Sequence, residues 1–164
     1  MSCRRPGRGG GRHSRKMIVM QPLRTLFADY AAYHQTAGNK AFHRVGIPLI
    51  VLTSIGMLAR ITIWRGGHWY VDAAMVLIAL AEAYYLTLSP LLGVAMLAVT
   101  IGFYFLGSWM PMWLNVALFV LGWILQFVGH SVYEKKQPAF FKNVTHLLIG
   151  PLWILNDLVP VVKR

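Results

Sequence analysis

The sequence is poor in charge and almost free of cysteine. Only 13% of its 164 residues are charged, whereas soluble domains usually carry about 25%. The mean hydropathy of +0.53 and the 57% of hydrophobic residues exclude an ordinary soluble domain. The lone cysteine, Cys3, excludes a disulfide framework. We therefore interpret the chain as an integral membrane protein.

Acidic residues are also scarce, with five Asp or Glu against sixteen Lys or Arg and a net charge of +11. Many of the basic residues lie in a Gly/Arg-rich segment at the N-terminus. Such a segment could bind nucleic acid, but on a membrane protein it more often faces the cytoplasm and anionic lipid. We expect membrane lipid and no nucleic acid as a partner. Residues 1–20 are predicted to be a disordered basic tail, and residues 21–164 a single helical membrane domain.

The apolar segments predict an all-α integral membrane bundle with four to five transmembrane helices and an N-terminal interfacial helix. Four segments approach the ~20 residues that cross a bilayer, and turns containing Gly or Pro separate them. They cover residues 45–64, 70–88, 91–106 and 113–128. Residues 21–37 are amphipathic but too polar to span. Residues 146–162 contain Pro151 and Pro160, so this segment either spans or lies at the interface.

Two histidine-containing clusters flank these spans. His34 and His43 are nine residues apart and would point in opposite directions on one straight helix. A break at residues 37–39, with Asn39 as N-cap of the next helix, would let them face each other. His130 and Glu134 are four residues apart and share a helix face. An even number of spans places all four side chains on one side, which the positive-inside tendency makes cytoplasmic.

Three histidines and a carboxylate at one membrane surface can hold a divalent metal. The spacing does not separate an open iron(II) site of an oxygenase from a hydrolytic zinc site. Histidines that only bond backbone or lipid headgroups are the competing interpretation. Glu134 could be a ligand, could orient a ligand, or could be solvated. His146 opens the last apolar segment from the same side, whereas His68 is excluded because its loop faces the opposite side.

Several motifs resemble a family of small membrane proteins whose characterised fungal member is an endoplasmic-reticulum 2-hydroxy-fatty-acid dioxygenase of phytosphingosine breakdown. The resemblance covers about residues 26–160. Its motifs are Tyr33–His34, Asn39, His43, Gly46 and Pro48, then Gly122–Trp123, Gln126 to His130, Glu134–Lys135 and Pro138–Ala139. The chain departs from the fungal pattern at Gln35, where fungal members have a second histidine. It also departs at the apolar turn of residues 108–113, where they have a charged loop.

The resemblance implies an Fe(II)-dependent dioxygenase that uses dioxygen to convert a 2-hydroxy fatty acid into the acid one carbon shorter. His34, His43 and His130 would be the iron ligands, and His146 would substitute as a fourth. The remaining site residues are assigned to catalysis (Glu134 and Lys40) or to substrate binding (Tyr33, Asn39, Arg44 and Lys135). Among these, the basic side chains would attract the substrate carboxylate.

Two other functions remain open from the sequence. The same histidines could serve a zinc-dependent membrane hydrolase, and the chain could also be a non-enzymatic lipid-binding membrane protein. The site would face the cytoplasm from a bacterial inner membrane, or from the endoplasmic reticulum in a eukaryote. Oligomers are compatible with all of these functions.

Overall fold

A computed structural model describes residues 23–135 and 144–161. The predicted basic tail, residues 1–20, lies outside this part of the chain. The described elements are six helices and one β-hairpin. In chain order they are α1 (residues 23–32), α2 (Ala37–Leu58), β1 (Thr62–Gly66), β2 (Trp69–Asp72), α3 (Ala73–Leu88), α4 (Pro90–Trp109), α5 (Met112–Val128) and α6 (Thr145–Leu158), with a π-helical turn (Gly129–Glu134) that continues α5.

Helix α2 is the central element because it packs closely against both α4 and α5. A Cβ atom on Gly46 of α2 would lie 3.0 Å from the carbonyl oxygen of Gly122 on α5. On the α4 side, a Cβ atom on Gly56 would lie 2.6 Å from the carbonyl oxygen of Gly107. Small residues at such crossings let the backbones of membrane helices approach each other. The end of α5 is therefore held against the start of α2.

Three helical segments are long and apolar enough to cross a membrane, namely Ala37–Leu58, Pro90–Trp109 and Met112–Glu134. Their outer faces carry exposed apolar side chains, such as Phe105 on α4, which is 67% exposed. Helix α3 has 16 residues and α6 has 14, which correspond to about 24 Å and 21 Å against a bilayer core of about 30 Å. The structure thus identifies three candidate spans where the sequence predicted four to five.

The all-α prediction misses a β-hairpin. The first predicted span continues to residue 64, but α2 ends at Leu58 and strand β1 pairs with β2 in an antiparallel arrangement. Residues around both strands are mostly β-branched or aromatic, a composition that favours extended structure. Gly67 in the connecting loop has a positive φ of 58°, which glycine adopts without strain. His68 lies in this exposed loop.

Helices α1 and α6 build a hydrophobic core at one end of the bundle. Leu23, Phe27 and Tyr30 of α1 are buried in the same cluster as Ile149 and Trp153 of α6. The apolar face of α1 therefore packs on protein, and its location at a membrane interface stays a prediction. Helix α1 also ends at residue 32, five residues earlier than the sequence suggested, which leaves a turn before α2.

Candidate metal centre

The three histidines that the sequence placed in separate clusters meet at one point. Their ring centroids are 4.4 Å apart for His34 and His43, 4.9 Å for His34 and His130, and 4.8 Å for His43 and His130. Each ring offers one nitrogen, and these nitrogens all lie within 4.8 Å of one another. Each residue is only 2% exposed. The predicted juxtaposition is present, and this group could hold a metal ion.

Backbone hydrogen bonds set the protonation of two of these rings. The Nδ1 of His34 lies 2.7 Å from the carbonyl oxygen of Tyr30, and the Nδ1 of His43 lies 2.9 Å from that of Asn39. A carbonyl oxygen only accepts, so both Nδ1 atoms carry the proton and both Nε2 atoms keep a free lone pair. Burial lowers the pKa of His34 to about 4, which keeps that ring neutral at neutral pH. This is the state in which imidazole binds metals.

The ring of His130 gives a further indication that this site binds a ligand. The Nδ1 atom of His130 is buried and has no hydrogen-bond partner within the described residues. Buried polar groups are nearly always satisfied, so an orphaned nitrogen beside two oriented imidazoles needs an explanation. A bound cation between the rings provides one. The donor set of three neutral nitrogens fits iron, zinc or copper.

The turn between α1 and α2 brings His34 next to His43. Thr36 is the N-cap of α2, and its side chain accepts a hydrogen bond from the backbone N–H of Asn39 at 3.3 Å. The predicted break at residues 37–39 with Asn39 as the cap is therefore wrong by three residues, because the threonine hydroxyl fulfils the capping role first. Asn39 lies inside the helix and contributes its backbone carbonyl, not its amide, to the ring of His43.

Glu134 connects this turn to the end of α5 through hydrogen bonds. Its Oε2 accepts hydrogen bonds from the backbone N–H of Thr36 (3.1 Å), the Thr36 hydroxyl (3.0 Å) and the amide of Asn39 (3.1 Å), and its Oε1 accepts one from the backbone N–H of Gln35 (3.1 Å). An anion at this position also complements the N-terminal dipole of α2. Glu134 is 8% exposed, so it is not solvated. Its oxygens bond the turn that carries the histidines.

The π-helical turn places His130 and Glu134 together on the inner side of the bundle. This turn ends at Lys135, which adopts a left-handed conformation with φ of 52°. It begins at Gly129, where a Cβ atom would lie 2.6 Å from the Oδ1 of Asn39. A side chain at this position would push α5 away from α2. Such π-helical turns are frequently found at functional sites, and this one was not predicted from the sequence.

A cavity of about 70 Å³ adjoins the three histidines. Its other polar lining residues include Gln126, which lies one helical turn before His130. Gln126 is 5% exposed, and its Nε2 is buried without a partner in the described part of the chain. No role in the site was predicted for Gln126 from the sequence. Its signal was a polar residue inside an apolar run, four positions from His130.

His146 also lines this cavity but lies outside the group of three. Its Nε2 is paired with Asp29 Oδ2 at 2.7 Å, while its Nδ1 is buried and has no partner among the described residues. Tyr33 packs its ring edge-on against His146 at 5.6 Å. The role of His146 as a fourth ligand and that of Tyr33 in substrate binding stay predictions.

The predicted basic residues do not line the cavity. Arg44 is exposed and pairs with Asp157 at 3.4 Å. Lys135 is exposed at the end of the π-helical turn, and Lys40 lies half-buried on α2. Asn39 is fully buried and donates to the Tyr33 carbonyl and to Glu134, so it supports the turn. Direct roles in catalysis or substrate binding for these four residues stay predictions.

Comparisons with known proteins match most of the chain to one family. The family described as 2-hydroxy-palmitic acid dioxygenase Mpo1-like matches residues 20–160. The chain is 30% identical over 142 residues to the 2-hydroxy-palmitic acid dioxygenase MPO1 of Saccharomyces cerevisiae, and the alignment covers 84% of this chain and 79% of the yeast protein. No solved structure matches the chain. All three histidines of the cluster and Gln126 fall inside the matched range.

Proposed function

The chain belongs to the 2-hydroxy-palmitic acid dioxygenase Mpo1-like family, and from this premise we propose that it is an iron(II)-dependent dioxygenase acting on 2-hydroxy fatty acids. The overall reaction consumes dioxygen and yields the fatty acid one carbon shorter, carbon dioxide and water. The observation that carries the proposal is the buried group of His34, His43 and His130, whose ligand nitrogens lie within 4.8 Å of one another.

These three histidines would hold the iron. Two of them have the Nδ1 atom tied to a backbone carbonyl and the Nε2 atom free. The carboxylate of Glu134 already accepts hydrogen bonds at the N-terminus of α2. The metal ligands would therefore be three neutral nitrogens. When bound, iron(II) supplies open positions at which substrate oxygens and dioxygen can be activated.

The remaining residues of the cavity would bind and shield the polar end of the substrate. Apolar side chains of α2 and α5, such as Ile47, Ile50 and Trp123, exclude water around the histidines. Within the described residues, no lysine or arginine lines the cavity, so the metal would balance the charge of the substrate carboxylate. Gln126 lines this space, and its buried amide nitrogen has no partner among the described residues. We assign this amide the hydrogen bond to the carboxylate or the 2-hydroxyl group.

Replacement of Gln126 by leucine is expected to lower kcat/KM for a 2-hydroxy fatty acid by roughly 10- to 100-fold. This range corresponds to the loss of one hydrogen bond to a charged group. The iron content should stay unchanged because the histidines are intact. Gln126→Glu keeps the shape of the side chain but repels a carboxylate, so it should reduce kcat/KM further. A Gln126→Leu protein with wild-type kcat/KM would contradict the proposed hydrogen bond from Gln126 to the substrate.

The arrangement of the helices supports a cytoplasmic site on a four-pass bundle. His43 lies near the start of α2 and His130 just after α5, and the two rings meet. An even number of passes must therefore separate them, which is satisfied if the shorter helix α3 crosses together with α2, α4 and α5. The basic N-terminal segment and Lys135, Lys136 and Lys142 after the last of these passes favour the cytoplasmic face of a bacterial inner membrane or of the endoplasmic reticulum.

The decisive test combines metal analysis with turnover. Protein purified without oxygen should contain iron in near-stoichiometric amount, and addition of 2-hydroxypalmitic acid and oxygen should consume oxygen and produce pentadecanoic acid. Bound zinc without oxygen consumption would instead indicate the hydrolase, since three histidines also form catalytic zinc sites. Absence of both metal and turnover would leave a lipid-binding protein and refute the proposal.

A further inference from the structure

A second cavity lies beside the histidine cavity. It has a volume of about 230 Å³ and is lined by apolar side chains from α2, α4 and α6. Ile47, Val51 and Pro151 line both cavities, so the two spaces share a wall. Leu158 of α6 also lines the apolar cavity and is 78% exposed. The apolar cavity therefore extends from the histidine site towards the outer surface of the helices.

The position of this apolar cavity beside the histidine cavity indicates which ligand it can bind. A 2-hydroxy fatty acid has its reacting oxygens at one end and a long apolar chain that must leave the metal site in some direction. The histidine cavity of about 70 Å³ is too small to enclose this chain. The adjoining cavity has the matching chemistry, because none of its lining residues carries a polar side chain. Burial of the chain there would be favoured by the hydrophobic effect.

Phe103 is the last residue along α4 that lines this cavity. The residues that α4 contributes to the lining are Met96, Val99 and Phe103. Met96 packs in the core cluster that contains Trp153, and the ring of Trp153 lies 6.3 Å from that of His34. Phe103 follows Met96 by seven residues, which corresponds to about 10 Å along the helix. Gly107, one turn after Phe103, packs on Gly56 of α2. Gly56 lies about 20 Å along α2 from His43, so Phe103 lies on the side of the cavity away from the metal site.

We propose that this cavity receives the acyl chain of the substrate and that Phe103 selects its length. The inference rests on the proposed function, because it presupposes that the histidine site binds the polar end of a 2-hydroxy fatty acid. A side chain at the end of an apolar cavity limits how many methylene groups can be buried. Each methylene group that is displaced from the cavity is expected to lower kcat/KM about fourfold.

The test is the chain-length preference of Phe103 variants. We expect Phe103→Trp to lower the ratio of kcat/KM for 2-hydroxystearic acid over 2-hydroxylauric acid by roughly 16-fold, because about two methylene groups would be displaced at about fourfold each. Phe103→Leu introduces a smaller side chain, which enlarges the cavity, and should therefore raise the same ratio. The iron content of each variant, measured beside the kinetics, shows whether the metal site has remained intact.

Phe105→Trp is the matched control, because Phe105 lies on the same helix but is 67% exposed on its outer face. It should leave the ratio unchanged. An iron-loaded, active Phe103→Trp protein with an unchanged ratio, or an equal shift in Phe105→Trp, would overturn the inference and point to a membrane lipid as the occupant. Wild-type protein that turns over none of these acids would instead refute the proposed function.

Discussion

Replacement of His34, His43 or His130 by alanine is expected to abolish stoichiometric metal binding and to lower turnover by more than about 100-fold. Loss of a residue that only supports a ligand already costs 10- to 100-fold in metal affinity or activity, and here a ligand itself is removed. The three rings lie within 4.9 Å of each other by centroid, and the described residues offer no other group of this kind. Each single variant should therefore be as severe as the others.

His68→Ala provides the matched control for this experiment. The substitution is chemically identical, but His68 lies in the exposed loop of the β-hairpin and does not line the cavity. Metal content by elemental analysis and product formation should both remain at the wild-type level. Retained iron and turnover in any of the three alanine variants at the cluster would contradict the assignment of that histidine as a ligand.

Replacement of Glu134 by glutamine is expected to destabilise the fold by about 2 kcal/mol and to weaken metal binding about 10-fold. The substitution removes the negative charge at the start of α2. It also replaces an oxygen that accepts from Gln35, or from Thr36 and Asn39, by a donor. The turn that carries His34 would loosen, although no ligand is lost. Thermal unfolding and metal titration measure the two effects separately.

Glu82→Gln is the control for a buried glutamate in another place. Glu82 is 6% exposed, accepts a hydrogen bond from the Thr100 hydroxyl between α3 and α4, and does not line the histidine cavity. Its substitution can change stability but should leave metal affinity unchanged. A Glu134→Gln protein that binds metal as tightly as the wild type would show that Glu134 contributes to the fold without organising the metal site.

The sequence correctly predicted that the three histidines meet. That prediction used a parity argument, whose count of four spans stays a prediction because the structure identifies three candidate spans. Apolar segments can be counted from hydropathy, and an even count returns the chain to the side on which it started. His34 and His43 therefore had to lie on the same side as His130. Hydropathy alone did not determine the number of spans, because α3 and α6 are apolar but shorter than a bilayer core.

Roles that depend on distant contacts could not be predicted. Glu134 bonds Asn39 over a separation of 95 residues, and no local pattern distinguishes that contact from solvation or from metal binding. The start of α2 depended on which of two good capping residues, Thr36 or Asn39, was used. The π-helical turn and the buried amide of Gln126 likewise acquire meaning only when α5 packs against α2.

The sequence by itself determined the class of the protein, its apolar helices and the histidines that could bind a metal. These features follow from composition and spacing, which act over a few residues. Only the tertiary structure decided that Glu134 bonds the start of α2, that Gln126 lines the histidine cavity and that an apolar cavity adjoins it. Close packing of α2 against α4 and α5 produces these features, because it joins side chains whose positions in the chain are unrelated.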